Sequence, residues 1–479
     1  MNDRTVPAKE SLASGAGSLT RRSILRGAAT AAAIAIVPRH VLGGPGHVAP
    51  SEKLTLAGIG LGLQGTGDIV NFLQLPLVQV TALCDVNKES TGYISWNYSQ
   101  GKEQRAAGLD PAIRIVQDYY AQNKPSGTYH GCNGYRDYRE LLEKEDIDAV
   151  VIATPDHSHA VISMAAIKKG KHVYCEKPLA YTVSEARQVT EAAKHAGVAT
   201  QLGNQGQASE EARVVREYLM DGVIGPVHEV HVSSPARFWQ HALYAGRPTE
   251  TPPVPKGFDW DLWLGPAPER PYHPAYCPWT WRNWWEFGTG LLGDLGCHKL
   301  SPVFKALKLG HPTSIEACCT LNNKEVYPFG VIARFEFPAR GDMPPVTLNW
   351  YDGGLKGPRP KDIESGRGMQ DVICVGEKGT LNGRRLAPDA MNKNYGHPPK
   401  ILPRSVGHHQ EFVDACRGGP PAGANFADHG GPLSEVFLLG NVALRAGSRI
   451  EWDGPNMKIT NNDSANDLLQ REYRKGWSL

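Results

Sequence analysis

The segment Gly60-Leu61-Gly62-Leu63-Gln64-Gly65, called here the glycine loop, constrains the fold of this chain most strongly. It follows the apolar run Leu54–Ile59, which is typical of a buried strand, and precedes a stretch with helical periodicity. In such a unit Gly60 allows a tight turn, Gly62 lets a pyrophosphate approach the backbone, and Gly65 lets helix and strand pack closely. We therefore predict a dinucleotide site at the start of a doubly wound α/β domain.

An acidic residue follows the second predicted strand, Val78–Cys84. Asp85 lies 20 residues beyond Gly65. An acid at this place accepts the ribose hydroxyls of adenosine and repels a 2′-phosphate, so we expect NAD as the cofactor. Lys88 lies close enough to keep NADP open as an alternative.

The predicted secondary structure changes in pattern near Gly203, which divides the chain into two halves. Before it, apolar strands alternate with helices, as in a parallel sheet, around an insertion at 88–134. After it, period-two alternation at Val227–Ser233, Val331–Phe337 and Val346–Tyr351 predicts a mostly antiparallel sheet with one packed face. The predicted domains are a signal and linker (1–50), a Rossmann domain (51–203), a second α/β domain (204–450) and a tail (451–479).

The first 50 residues have the pattern of an export signal. Thr20-Arg21-Arg22-Ser23-Ile24-Leu25-Arg26 is a twin-arginine motif, and the apolar run at 27–37 is too short for a bilayer core that needs about 20 residues. We expect export in the folded state by the twin-arginine machinery, to the periplasm or beyond. A basic tail without signal function is the alternative, and no stable membrane span is expected elsewhere.

Charge and cysteine usage argue against a nucleic-acid-binding protein and against a disulfide-stabilised one. The formal charge is +2 over 479 residues, and the first 50 residues carry six Lys and Arg against two acids. The remainder is therefore near neutral, which gives no footprint for nucleic acid. The nine cysteines show no C-x-x-C spacing and no disulfide framework, which fits folding in a reducing compartment before export.

Two more motifs stand where predicted parallel strands end. The first is Ala153-Thr154-Pro155-Asp156-His157-Ser158-His159, and the second is Glu176-Lys177-Pro178. Together with the glycine loop they resemble the Gfo/Idh/MocA family of oxidoreductases, from about Leu54 to about Ser448. The resemblance implies a Rossmann domain followed by an α/β domain with a large, mostly antiparallel open sheet. That sheet often forms a subunit interface in the family, so a homo-oligomer is expected.

The resemblance also implies which residues bind the cofactor. Lys177 is expected to contact cofactor and substrate, and Glu176 to line the nicotinamide site. The carboxyl ends of parallel strands are where an open α/β sheet binds ligands, although a surface ion pair between these neighbours is the alternative. The full set of expected cofactor residues is Gly60, Gly62, Gly65, Asp85, Thr154, Pro155, His157, His159, Glu176, Lys177 and Gln205.

The segment from Gly290 to His298 resembles the family's G-x-x-x-D-x-G-x-H pattern. Asp294 and His298 are spaced i, i+4 and would share one face of a helix. Oxidation of a secondary alcohol needs a base, and we expect His298 to supply it. Asp294 is expected to orient the substrate or to tune the histidine, and Lys177 to polarise the oxygen. The spacing alone would also fit an alternative in which Asp294 caps a helix and His298 is a core residue without a catalytic role. No ligand spacing supports a metal, and a nicotinamide carries the hydride without one.

Residues 235–290 are rich in aromatic and arginine side chains. Indoles stack on the apolar faces of sugar rings, and guanidinium groups meet anionic groups such as a uronate. Part of this aromatic set is expected to be loop core. The candidate substrate residues are Arg237, Trp239, Trp281 and Arg282.

The expected substrate is a sugar, polyol or glycoside, and the expected compartment limits the mechanism. Free NAD is not maintained outside the cytoplasm, so we expect the cofactor to stay tightly bound. One interpretation is hydride transfer between a secondary alcohol and the cofactor. A second is an NAD-dependent glycosidase that works by transient C3 oxidation and elimination. Such glycosidases have a late G-H-G-G-type motif, which the segment Asp428-His429-Gly430-Gly431 of this chain resembles only loosely. A third is a non-catalytic sugar-binding protein.

Overall fold

The computed structural model describes residues 48–94, 104–122, 126–234, 246–320 and 323–479. The predicted twin-arginine motif lies outside these residues, and so do the candidate substrate residues Arg237 and Trp239. A short 3-10 turn, Pro50–Glu52, belongs to a first unit, and everything that follows concerns the compact body Lys53–Leu479.

The first half of the body is a Rossmann-type sheet of six parallel strands in the order β5-β2-β1-β6-β7-β8. The fully apolar β6 is buried on both faces, as expected for the middle of a parallel sheet covered by helices. Two further strands, β3 and β4, form an antiparallel hairpin inside the predicted insertion. The strands are β1 (Leu54–Ile59), β2 (Val78–Cys84), β3 (Ser90–Ile94), β4 (Gln104–Ala107), β5 (Asn133–Tyr135), β6 (Ala149–Ile152), β7 (His172–Glu176) and β8 (Thr200–Gly203).

Five helices cover this sheet, and their ends follow local sequence signals. The last of them begins with a capping box, in which the Thr182 hydroxyl accepts from the Glu185 amide and the Glu185 carboxylate accepts from the Thr182 amide. It ends at Gly197, whose left-handed conformation (φ 63°) closes the last turn. The helices are α1 (Leu63–Leu73), α2 (Leu109–Ala121), α3 (Tyr138–Lys144), α4 (Asp156–Lys168) and α5 (Val183–Ala196).

The second half of the body is built on a nine-stranded sheet in the order β15-β14-β13-β9-β12-β11-β10-β16-β17. All neighbouring pairs are antiparallel except β9 with β12, which confirms the predicted large, mostly antiparallel sheet. The strands are β9 (Val227–Ser233), β10 (Ser314–Cys319), β11 (Val331–Phe337), β12 (Val346–Tyr351), β13 (Val372–Gly376), β14 (Thr380–Asn382), β15 (Arg385–Ala387), β16 (Ile450–Asp453) and β17 (Lys458–Ile459).

One face of this sheet is apolar and is covered by helices. Phe437 of the last long helix packs against Phe335 of β11 and Trp350 of β12, with ring centroids 6.2 and 5.7 Å apart. The other face carries polar side chains such as Arg334 and Glu336, so β11 alternates as its sequence predicts. The helices of this half are α6 (Glu210–Asp221), α7 (Trp260–Leu264), α8 (Gly290–Ala306), α9 (Asp389–Tyr395), α10 (His408–Cys416) and α11 (Gly431–Ala446).

Residues 451–479 are part of the body, although the sequence predicts a tail. The predicted boundary at 450 falls inside β16, which pairs with β10 in the large sheet. Farther on, Arg471 pairs with Glu185 of α5 and so returns the chain to the Rossmann half. In the part of the chain that the structure describes, no helix combines the length and apolarity needed to cross a membrane.

Candidate active site

A groove with a cavity of about 210 Å³ runs along the carboxyl ends of β1, β2, β6 and β7. Both halves of the body line this groove. An open α/β sheet binds its ligands at the carboxyl ends of its strands, so the groove has the expected location of a ligand site. Its Rossmann-side lining includes the glycine loop, Asp85, Thr154, Pro155, Glu176 and Lys177, and its second-domain lining includes Trp279, Trp281, Arg282 and Asp294.

The glycine loop leaves bare backbone at the floor of the groove. Gly60 has φ 85°, and a Cβ there would lie 2.7 Å from the Thr154 amide nitrogen. A Cβ on Gly65 would lie 1.9 Å from the Gly60 carbonyl oxygen, so Gly65 packs beneath the loop rather than lining the groove. The helix α1 starts directly after Gly62 without a side-chain cap, and Leu63 and Gln64 of its first turn line the cavity. This arrangement fits a pyrophosphate.

Asp85 lines the groove and is held by backbone donors. Its carboxylate accepts hydrogen bonds from the amides of Leu61 (2.6 Å) and Asn87 (2.7 Å). Each carboxylate oxygen retains a lone pair for a further donor, such as a ribose hydroxyl. Burial raises the pKa of Asp85 to about 6, and the two amide donors oppose that rise.

Two buried oxygens of the groove have no hydrogen-bond partner among the described residues. They are the Thr154 hydroxyl, beside the glycine loop, and Oδ2 of Asp294, at the opposite end. Leaving buried polar atoms unsatisfied is costly, and such atoms mark places where a ligand completes the hydrogen bonding. The donor and acceptor set therefore fits a dinucleotide with a polar substrate beside it.

A buried ion pair joins the two halves of the body inside the groove. Lys177, in the turn after β7, hydrogen-bonds through Nζ to Oδ1 of Asp294 on α8. Arg282 Nε lies 3.7 Å from the other oxygen, Oδ2. Burial alone would raise the pKa of Asp294, but Lys177 and Arg282 hold it below its usual value. Burial alone would lower the pKa of Lys177, but Asp294 and Glu176 raise it. Both groups are therefore charged at neutral pH.

His298 follows Asp294 by four residues on α8, as the spacing predicts. Burial and the positive charge of Lys177 lower its pKa to about 3, against the opposing charge of Asp294. The imidazole is therefore neutral at pH 7. It is half-buried and lies one turn behind the residues that line the cavity.

Arg282 is held between two indoles. Its guanidinium carbon lies 4.3 Å from the ring centroid of Trp279 and 4.2 Å from that of Trp281, within cation–π range. The side chain is 9% exposed. Both of the candidate substrate residues that the structure describes, Trp281 and Arg282, thus line the reactive end of the groove.

The two histidines that follow β6 have packing contacts. Both ring nitrogens of the fully buried His157 face backbone carbonyls, those of Phe287 (3.3 Å) and Trp263 (3.0 Å). The structure therefore gives His157 a packing role in place of the expected cofactor contact, because neither nitrogen faces the groove. His159 lines the groove wall, but its nitrogens face the carbonyls of Pro178 (2.6 Å) and Thr154 (2.8 Å).

A second acidic cluster lies behind Glu176. The Gln205 side-chain amide reaches the carboxyl groups of both Glu176 (2.6 Å) and Asp68 (3.4 Å), and the Gln64 amide reaches the same two groups at 3.2 and 3.3 Å. Gln205 thus organises the carboxyl pair and does not line the cavity. Burial raises the pKa of Asp68 to about 7 and that of Glu176 to about 8, so the pair retains a proton near neutral pH. His409 Nε2 lies 3.1 Å from Asp68 Oδ1.

Asp156 is a site residue that sequence reasoning did not single out. Its carboxylate accepts from the amide (2.9 Å) and the hydroxyl (2.6 Å) of Thr289, which precedes α8. It therefore fixes the start of the helix that carries Asp294. The sequence shows Asp156 within the motif that contains His157. It does not show the partner, because Thr289 lies 133 residues away along the chain.

Other groove residues missed by sequence reasoning come from segments without a motif. Tyr93, on the β3 hairpin, lies over the glycine loop, with its ring 3.1 Å from where a Cβ of Gly62 would stand. Trp477 reaches the groove from the predicted tail. No spacing in the sequence points to either residue. Among the described residues, no group of three His, Cys, Asp or Glu side chains is placed to hold a metal ion.

The fold and the groove together define a two-domain dinucleotide-binding protein of the oxidoreductase class. Comparison with family models narrows this class. Residues 55–204 match the oxidoreductase family's NAD-binding Rossmann fold, and residues 208–329 match its C-terminal alpha/beta domain. The chain belongs to the Gfo/Idh/MocA oxidoreductase family.

Individual relatives are more distant. The chain is 30% identical over 198 residues to glycosyl hydrolase family 109 protein 1 of Shewanella sp. (strain ANA-3). The aligned region covers 41% of this chain and 38% of that protein. The fold of this chain is similar to that of the WlbA dehydrogenase of Bordetella pertussis in complex with NADH and UDP-GlcNAcA, with a TM-score of 0.53 and 16% identity. The match covers 84% of this chain and 99% of that one. Levoglucosan dehydrogenase in complex with NADH and L-sorbose is comparably similar (TM-score 0.51, 17% identity, 84% and 99% coverage).

Proposed function

We propose that this protein is an NAD-dependent oxidoreductase that transfers hydride between a secondary alcohol of a sugar, polyol or glycoside and a nicotinamide. The observation that carries the proposal is the buried Lys177–Asp294 pair in the groove that the glycine loop and Asp85 also line. A binding groove alone needs no buried ion pair. Charged groups are costly to bury, and their presence in a cleft points to chemistry.

The groove residues divide the work of alcohol oxidation. When bound, the nicotinamide supplies the hydride chemistry. The Lys177 ammonium hydrogen-bonds the reacting oxygen and stabilises the negative charge that develops there. Asp294 holds Lys177 in its charged form and accepts from a neighbouring hydroxyl through Oδ2. The neutral His298 accepts the hydroxyl proton, and the indoles of Trp279 and Trp281 pack against the apolar face of the sugar.

The finer parts of the proposal concern cofactor and compartment. Asp85 favours NAD over NADP, because a 2′-phosphate would meet its carboxylate. The twin-arginine motif supports export of the folded protein to the periplasm with its cofactor tightly bound. The exposed polar face of the nine-stranded sheet is the surface on which we expect a homo-oligomer to form.

The first experiment identifies the cofactor. Protein purified after export is denatured, and any released dinucleotide is identified by mass and by its absorbance at about 340 nm. We expect stoichiometric NAD(H). The loaded protein is then offered a panel of sugars, polyols and glycosides, and reduction of the bound cofactor is followed. A protein that carries no dinucleotide and binds none when it is added would contradict the proposal.

A second candidate is an NAD-dependent glycosidase, supported by the partial similarity to glycosyl hydrolase family 109 proteins. In that reaction hydride would pass from C3 to the nicotinamide, and the resulting ketone would acidify the C2 proton. Loss of this proton expels the leaving group from C1, water then adds across the C1–C2 double bond with its hydroxyl on C1 and its proton on C2, and the hydride returns to C3. The loosely similar motif at 428–431 gives no support, because His429 is buried against Ser301 (Nε2 to Oγ, 2.8 Å) and does not line the groove. Cleavage of a glycoside in D₂O, with deuterium at C2 and no net NADH, would select this candidate.

The third candidate, a sugar-binding protein without catalysis, makes a different prediction. It would bind sugar without any change in the absorbance of the bound cofactor. A sugar that binds and is turned over excludes it.

A further inference from the structure

We propose that Trp477 is an adenine-binding residue, held over the far lobe of the groove by the segment 471–477. The proposal rests on the proposed function, since it assumes that the groove binds NAD. It adds a contact to the cofactor from a part of the chain that lies beyond the second domain's main sheet.

We call the part of the groove lined by Tyr138 and Trp477 its adenosine lobe. The Asp85 amide donates to the Tyr135 carbonyl (3.1 Å), which places the start of α3, and with it this lobe, beside Asp85. If Asp85 takes the adenosine ribose, the adenine lies past it, away from Lys177. Further residues that line the groove are Ser158 and Ile162 from the Rossmann half and Trp263 from the second half. An apolar, aromatic-lined slot with few polar groups is typical of a base-binding site.

The segment 471–477 is tied to both halves of the body. Arg471 hydrogen-bonds to the Glu185 carboxylate (2.8 Å) and to the His157 carbonyl (2.5 Å). Arg474 hydrogen-bonds to the carbonyls of Gly265 (3.1 Å) and Asp261 (2.8 Å). Four hydrogen bonds from two arginines therefore fix this segment, and the Trp477 amide donates to the Arg474 carbonyl (3.0 Å), so Trp477 has a defined position.

The Trp477 ring itself is held by neighbours on the Rossmann side. The guanidinium carbon of Arg139 lies 4.8 Å from its centroid, and the Tyr138 ring lies 6.3 Å away at an angle of 40°. These contacts orient a half-buried indole toward a cavity, where a stacked base would bury the rest of it.

The lobe is also enclosed from a second side. The amide of Lys88 donates to the Gly257 carbonyl (3.0 Å), and the amide of Asp259 donates to the Val86 carbonyl (2.9 Å). This backbone pairing carries the second-domain loop across the groove next to Asp85. Trp477 and this loop thus close the adenosine end, and a bound dinucleotide exchanges slowly because one of them must move.

The test compares two ligands that differ only in the adenosine half. NAD and nicotinamide mononucleotide are titrated by calorimetry into the full chain, after bound dinucleotide is stripped with charcoal. Trp477→Ala is compared with wild type, with Trp477→Phe and with the control Tyr395→Ala, which removes a half-buried aromatic side chain from α9, away from the groove. Retention of NAD during dialysis is measured on the same proteins before stripping.

We expect Trp477→Ala to weaken NAD binding about 5- to 150-fold, the range for loss of one base–aromatic stack, and to leave the mononucleotide affinity unchanged. Trp477→Phe should retain most of the affinity, and Tyr395→Ala all of it. Equal losses for both ligands would overturn the proposal, since Trp477 would then support the groove as a whole. No loss for either ligand would also overturn it. A wild-type protein that binds neither ligand would instead defeat the proposed function.

Discussion

Two clusters of buried carboxylates meet at the adjacent residues Glu176 and Lys177, and they differ in their partners. On the groove side, Asp294 faces two cations, Lys177 and Arg282. Behind the groove, Asp68 and Glu176 share the neutral side-chain amides of Gln64 and Gln205. Burial is nearly the same in both, because all three carboxylates are 1–4% exposed.

The difference shows what sets the charge of a buried acid. The pKa of Asp294 falls below its usual value beside the cations, whereas those of Asp68 and Glu176 rise to about 7 and 8. Amide donors soften the desolvation cost but do not cancel it. One cluster therefore presents fixed charges to a substrate, and the other stores a proton. The predictions below test this contrast.

The largest effect is expected from Lys177→Met. This change removes the donor to the reacting oxygen and leaves Asp294 with only Arg282, so kcat/KM should fall at least about 10³-fold. Steady-state kinetics with the best sugar of the panel measures it. Lys299 lies on the helix that carries Asp294, but it pairs with Asp371 outside the groove. Lys299→Met therefore serves as the control, and its activity should stay within a few-fold of wild type. If Lys177→Met keeps more than a tenth of the activity, the assigned role is wrong.

His298→Asn should lower kcat by about 10²-fold, the lower end for loss of a general base, without changing NAD retention. Because the pKa of His298 is lowered to about 3, the wild-type rate should show no loss from its protonation between pH 7 and pH 5. A wild-type acid limb near pH 6.5 that disappears in His298→Asn would show that this histidine titrates normally.

Arg282→Gln should have a smaller effect, about 10-fold in kcat/KM. It removes the second cation beside Asp294 and the stack between Trp279 and Trp281, while Lys177 still pairs with the carboxylate. Arg282→Lys keeps the charge and loses the planar stack, so its rank between wild type and Arg282→Gln separates the two contributions. Identical kinetics for all three proteins would remove Arg282 from the site.

Glu176→Gln should change the pH dependence of stability more than activity. The folded-state pKa of Glu176 is raised from 4.5 to about 8, so its neutral form stabilises the fold below pH 4.5, and that stability is lost as pH rises through 8. Urea unfolding at pH 5, 7 and 8.5 should show a smaller decline in the free energy of unfolding for Glu176→Gln than for wild type. The exposed Glu143→Gln is the control, and equal declines in all three proteins would contradict the shared proton.

Much of the fold was predictable because its strands carry strong periodicity. The bounds of β1, β2, β9, β11 and β12 agree with the sequence prediction, since a polar residue, glycine or proline borders each strand on at least one side. The short strands β13–β15 were not predicted. They have three to five residues each, too few for alternation to be distinguished from a loop.

The candidate site was predictable only in part, because its contacts join distant segments. The glycine loop and Asp85 are local patterns, and the structure brings them to one groove. By contrast, the carbonyls that surround His157 come from Phe287 and Trp263, more than 100 residues away in the chain. Asp68 resembles a solvent-facing residue of an ordinary helix, and only the tertiary structure buries it against Glu176.

The bond between Asp156 and Thr289 limits how such a chain can be recombined. Asp156 belongs to the Rossmann half, and Thr289 starts the helix that carries Asp294 and His298. A chimera that joins this Rossmann half to the second half of another relative at residue 203 keeps the catalytic side chains but loses their alignment, unless the acceptor also has a hydroxyl residue before its helix. The two halves are therefore exchangeable only as a matched pair.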